Sequence, residues 1–195
     1  MRQMLNAGKS RRIWLPARAT RRKTIVVLWW LQMKMQLTRA EEIECLKAAI
    51  QFSIDGDNQA NDAARYNTEI GFFEFIAEWA ETIGSEWIVA KYLGVSYDPH
   101  EPKYKVKADV GNGIEVKWTK YVAGQLIVHE YDRTTDIAVL VTGKSPHYFI
   151  AGWIPVAIAK KPRYRHSKQP NWWVTQINLQ PIENLRKSTY GQTAI

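Results

Sequence analysis

The chain of 195 residues is 46% hydrophobic and 24% charged, which fits one folded domain with a sizeable core and room for a tail. Its one cysteine, Cys45, excludes an internal disulfide and any cysteine-based zinc cluster, and reads as a core thiol in a reducing compartment. The net charge of +8 suggests an anionic partner, but it is concentrated: Arg2, Lys9, Arg11, Arg12, Arg18, Arg21, Arg22, Lys23 and Lys34 fall within residues 1–35, which hold no acidic residue, so the remainder is nearly neutral.

Residues 1–23 lack apolar periodicity and read as a basic arm. The apolar run at 25–31, Ile-Val-Val-Leu-Trp-Trp-Leu, is far short of the roughly 20 residues that span a bilayer. No small-x-small cleavage site follows it, which weighs against a signal peptide. The arm either grips phosphates or lies upstream of a natural start at Met33 or Met35, and the second reading is preferred. The expected organisation is a poorly ordered basic extension at 1–35 and a domain at 36–195.

A helix is expected from Thr38, where Thr38 and Glu41 have capping-box spacing and Ile43, Leu46, Ile50 and Ile54 recur on one face. Asp55-Gly56-Asp57-Asn58 ends it; the glycine is misplaced for a calcium loop, so this reads as a turn. A second helix is expected over 72–93, with Trp79, Ile83, Glu86, Ala90 and Leu93 in one row. A carboxylate in an apolar row is costly unless paired or bound to metal, so Glu86 is a candidate functional residue. The plain alternative is that Gly84-Ser85 breaks the helix and Glu86 merely opens the next one.

After Gly94 comes a loop with Pro99 and Pro102, then a predicted hairpin over 107–118 turning at Gly111-Asn112-Gly113. With those three residues as the loop, Val110 pairs with Ile114 and Asp109 faces Glu115. Alternation then puts Glu115 and Lys117 on the face of Asp109, and Ile114, Val116 and Trp118 on the other. Facing carboxylates repel unless a cation sits between them, and a divalent metal with a neighbouring lysine can position an attacking water. A solvated strand face with a Glu-x-Lys pair is the plain alternative.

Strands are expected at 125–129, 137–142 and 148–155, a short helix near 156–160, a strand at 173–177 and a last helix from Pro181. That order is α/β with a mixed sheet flanked by helices. Between them Lys160, Lys161, Arg163, Arg165, His166 and Lys168 interleave with Tyr164, Trp172 and Trp173, a mixture suited to a phosphate backbone and stacked bases. A solvated loop with two half-buried tryptophans explains it nearly as well.

Glu86 in a helix, Asp109 and Glu115-Val116-Lys117 in the next hairpin, and further strands and a helix behind them resemble the PD-(D/E)xK nuclease superfamily in order and spacing. The domain also looks like small phage-type members of it through Leu37-Thr38-Arg39-Ala40-Glu41, Gly84-Ser85-Glu86 with Ala90 and Leu93-Gly94, Gly152-Trp153-Ile154 and Trp173-Val174-Thr175-Gln176, over residues 36 to about 187. Ala108 stands where the name motif has proline, as in many members. The resemblance implies a restriction-endonuclease-like core that hydrolyses DNA phosphodiester bonds with a water activated by Mg²⁺, for which Mn²⁺ would substitute. It makes Glu86, Asp109, Glu115 and the Val116 carbonyl metal ligands and Lys117 the water-positioning amine, leaves Lys160, Lys161, Arg163, Arg165 and Lys168 to contact DNA, and brings Gln176 near the site. It places the protein in the cytoplasm of a bacterial host, off the membrane, and is compatible with a homodimer. His129, Asp132 and Asp136 read as polar strand-end residues. The rival readings are a non-catalytic DNA-binding protein on the same fold and a structural protein with a salt-bridged hairpin.

Overall fold

The computed structural model describes residues 33–55, 70–101 and 107–195. The arm at 1–23, the apolar run at 25–31, Gly56, Asp57 and Asn58 of the expected turn, and Pro102 of the expected loop lie outside the described residues. A four-stranded mixed sheet has the order β1 (Met33–Gln36), β5 (His147–Pro155), β4 (Ile137–Lys144), β2 (Ile114–Thr119). β5 runs antiparallel to both its neighbours, and β2 runs parallel to β4. Because β1 starts at Met33, the sheet takes in Met33, Lys34 and Met35, which the sequence reading gives to the extension. Four residues of alternation are too few to stand out beside a basic arm.

The sheet is buried on both faces. Along β4, Ile137, Val139 and Val141 point to one side and Ala138 and Leu140 to the other, which is why this strand is an unbroken apolar run. The first side packs on helices α1 (Arg39–Asp55) and α2 (Phe72–Leu93). The second packs on a separate two-stranded sheet of β3 (Leu126–His129) and β6 (Asn171–Val174), with α3 (Val156–Ala159) beside it. The strand expected at 173–177 therefore sits two residues earlier, and Gln176–Asn178 is a 3-10 turn. The helix expected from Pro181 is a 3-10 segment, Ile182–Lys187, followed by α4 (Thr189–Ala194), capped where Ser188 Oγ accepts the Gly191 N–H at 2.9 Å.

α1 begins with the expected box: Thr38 N–H donates to Glu41 Oε2 at 2.6 Å, and Glu41 N–H to Thr38 Oγ1 at 3.3 Å. Its row of large apolar residues is not the face that meets the core. Ile43, Leu46, Ile50 and Ile54 are 41%, 44%, 47% and 70% exposed, while Cys45, Ala48 and Ala49 are buried. Small side chains form the contact face of α1, and a row of large aliphatic residues misleads because periodicity does not say which of two possible faces meets a neighbour.

α2 runs unbroken through Gly84-Ser85. Ser85 Oγ donates to the Thr82 carbonyl at 2.7 Å, so its hydroxyl is satisfied inside the helix. Gly84 faces β5, where a Cβ would come within 2.6 Å of the Tyr148 hydroxyl. Ile83, Glu86, Ala90 and Leu93 are all buried, as the row predicts, and the helix ends at Gly94 in the left-handed region.

Candidate active site

β2 is an edge strand of the main sheet, and its outer side carries the site. Val110 and Ile114 exchange both backbone hydrogen bonds, at 3.1 and 3.2 Å, in the register expected of the hairpin. Gly111 has φ +59 in the turn, and the Ala194 carbonyl at the end of α4 accepts the N–H groups of Asn112 and Gly113 at 2.9 and 3.3 Å. The first arm of the hairpin, however, is not a strand. Hydrogen-bonded pairs alternate in an antiparallel ladder, so Val116 N–H would next meet the Ala108 carbonyl. Asp109 Oδ2 takes that hydrogen bond instead, at 2.7 Å, and the chain leaves the ladder there. An extended residue turns its N–H and C=O to the same side, so the Val116 carbonyl also looks away from β4.

Ile114 and Val116 are buried toward the helices, and Glu115 and Lys117 point the other way, as alternation requires. Lys117 Nζ donates to Glu115 Oε1 at 2.7 Å and to Asp132 Oδ1 at 3.0 Å. Burial pulls the Lys117 ammonium down, but Glu115 and Asp132 outweigh burial and raise it above the ordinary lysine range. The group is therefore a charged donor at neutral pH and cannot accept a proton. Asp132 Oδ2 accepts His129 N–H at 2.8 Å, and the His129 ring stacks on Tyr131 with centroids 5.1 Å apart. Burial and then Lys117 lower the His129 imidazole below its usual value, despite Asp132 and Glu115.

Glu86, 5% exposed in the middle of α2, has a carboxylate oxygen that accepts the Tyr97 hydroxyl at 2.7 Å. Burial, then the Glu86 charge and that hydrogen bond, push the Tyr97 phenol far above its usual range. Asp109 feels the charges of both Glu86 and Glu115. Its carboxyl is held well above the ordinary value by burial first, then by Glu86 and by Glu115, against the pull of Val116 N–H and Lys117. Beside it opens a cleft of about 250 Å³ lined by Tyr97, Glu101, Lys107, Asp109 and Asn112 among others. Cys45 is a buried core thiol, raised to about 12 by burial and then by Glu41 and Glu86.

Two residues were missed by sequence reasoning. Asp132, read as a strand-end polar residue, grips Lys117 from fifteen residues away, and Tyr97 holds Glu86 from eleven. The only local sign of Asp132 is that it closes a turn onto the end of β3. Gln176 donates its carboxamide to the carbonyls of Val122 and Gly124 at 2.7 and 2.9 Å, holding the loop between β2 and β3. The proposed DNA contacts divide. Lys161, Arg163, Arg165 and Lys168 are exposed, with Arg165 over the Trp172 ring at 4.4 Å and Arg163 over Tyr164 at 4.6 Å. Lys160 instead donates to the carbonyls of Glu130 and Asp132 at 2.8 and 2.6 Å. The Trp173 ring is faced by His166 at 4.6 Å, so both tryptophans are already stacked on the chain's own side chains.

Among the described residues no three histidine, cysteine or acidic side chains form a ready-made metal-ligand set. The donor chemistry nevertheless suits a hard divalent cation: all the candidate donors are oxygens, and the Asp109 carboxyl, raised first by burial, is raised further by the charges of Glu86 and Glu115. No helix among the described residues is long and apolar enough to cross a membrane. A scan against protein-family models, a search of curated proteins and a search of solved structures each returned no match for this chain.

Proposed function

We propose that this domain has a restriction-endonuclease-like core and hydrolyses DNA phosphodiester bonds at the outer edge of β2. One observation carries the proposal: half-buried Asp109 lies within the electrostatic reach of Glu86 on α2 and Glu115 on β2, and Glu115 is hydrogen-bonded to a charged Lys117. Glu86, Asp109, Glu115 and the Val116 carbonyl would hold Mg²⁺ or Mn²⁺. When bound, such an ion lowers the pKa of water and offsets the charge that develops on the phosphate during attack. Lys117, fixed as an ammonium, orients the attacking water and opposes that same charge, but takes no proton from it. Tyr97 keeps the Glu86 carboxylate turned into the site. Lys161, Arg163, Arg165 and Lys168 supply exposed positive charge for the DNA backbone.

A non-catalytic DNA-binding protein on the same fold is the second reading. In its favour, each of the three carboxylates already has a donor within the protein: Tyr97, the Val116 N–H and Lys117. Incubating purified protein with plasmid and linear DNA, in Mg²⁺ and in chelator, separates the two. Cleavage in Mg²⁺ alone is the expected result. Binding without cleavage in either condition would select the second reading.

A further inference from the structure

We propose that Asp132 is a positioning residue for Lys117, and that Lys160 locks the turn carrying it. The turn closes on itself: Asp132 N–H donates to the His129 carbonyl at 3.2 Å, and His129 N–H returns to Asp132 Oδ2 at 2.8 Å. That leaves Oδ1 for Lys117 Nζ at 3.0 Å, on a side chain only 2% exposed. A carboxylate this buried is tolerated when both oxygens are satisfied and a cation is in contact, and here both conditions hold. Lys160 Nζ bridges the carbonyls of Glu130 and Asp132, from a position 28 residues beyond the turn. Its ammonium is committed to holding backbone in place.

The arrangement matters because Lys117 is shared. Its two acceptors are Glu115 and Asp132, and Glu115 belongs to the proposed cation-binding set whereas Asp132 does not. When the Glu115 oxygens turn to a cation, their hold on the ammonium weakens, and the cation itself repels Lys117. Asp132 is then the group that keeps the ammonium at the site, where a flexible four-carbon stem would otherwise let it swing away. For its kinetic consequence this inference rests on the proposed nuclease activity. It also predicts a behaviour for Lys160 opposite to that of a phosphate contact: loss of Lys160 should slow cleavage without weakening DNA binding.

The test uses the full chain with Asp132→Asn, Asp132→Glu and Lys160→Met. Lysine accessibility is read first, without metal or DNA, by reductive methylation and mass spectrometry; Lys117 should be protected in the wild type and labelled about tenfold faster in Asp132→Asn. Single-turnover cleavage in Mg²⁺ and DNA affinity in Ca²⁺ are read next. Asp132→Asn should lower the cleavage rate by about tenfold to a hundredfold with the Kd for DNA unchanged, Asp132→Glu should recover part of the loss, and Lys160→Met should lower the rate less, again at constant Kd. Unchanged labelling and rate in Asp132→Asn would overturn the proposal. So would a Lys160→Met variant that binds DNA more weakly yet cleaves bound DNA at the wild-type rate. If Asp132→Asn fails to fold, Asp132→Glu and Lys160→Met decide between the same outcomes. A wild type that cleaves nothing would refute the nuclease reading, while the labelling would still decide whether Asp132 holds Lys117.

Discussion

Replacing Asp109 by asparagine should stabilise the metal-free protein and abolish cleavage, both for one reason. The Asp109 carboxyl is raised well above its ordinary value of 3.8, by burial and then by Glu86 and Glu115. Between that value and the raised one the folded protein holds a proton that the unfolded chain has released. Stability must therefore fall as pH rises through this window, by up to about 1.4 kcal/mol per pH unit for one group. The contribution is fully present below the window and gone above it. Asparagine has no charge to desolvate, so the stability advantage of the variant should be small at about pH 4 and widen toward about pH 8. It also keeps an oxygen for the Val116 N–H; Asp109→Ala does not, and an orphaned buried N–H costs about 1–3 kcal/mol, so the alanine variant should be the less stable of the two. In a chain of this size 1 kcal/mol moves Tm by roughly 2–4 °C. Melts in chelator across the pH range, paired with plasmid cleavage in Mg²⁺, measure both effects. A wild type that gains stability relative to the asparagine variant as pH rises would refute the electrostatic argument, and undiminished cleavage would refute the role of Asp109.

Tyr97→Phe removes the hydroxyl that the buried Glu86 carboxylate accepts, so it should cost about 1–3 kcal/mol in chelator, read from denaturant midpoints, and less when Mg²⁺ is present to engage Glu86. Deleting residues 1–32 should leave the melting transition cooperative, whereas deleting 1–36 strips β1 from β5 and should lower stability by about 2 kcal/mol or more, a difference that circular dichroism melts would show. If basic residues in the arm contact phosphates, the shorter deletion should also flatten the dependence of log K on log salt by up to about 0.9 per lost contact; an unchanged slope would mark the arm as a bystander to DNA binding.

What could be read from the sequence is what depends on neighbours a few residues apart. The box of Thr38 and Glu41, the Gly111-Asn112-Gly113 turn with Val110 opposite Ile114, and the buried row containing Glu86 all follow from helix and strand repeats, and all three stand in the structure. The same repeats could not say which face of α1 would be covered, because that depends on what packs against it; α2 meets Ala48 and Ala49 and leaves Ile43 and Ile50 outside. Nor could they say which charges would meet. Asp109 leaving the ladder to cap Val116, Tyr97 reaching Glu86, Asp132 taking Lys117 and Lys160 turning from solvent to the carbonyls of the turn are all pairings through space. The cost of burying a charge makes each such group find a partner, but only the packed chain decides which partner lies within reach.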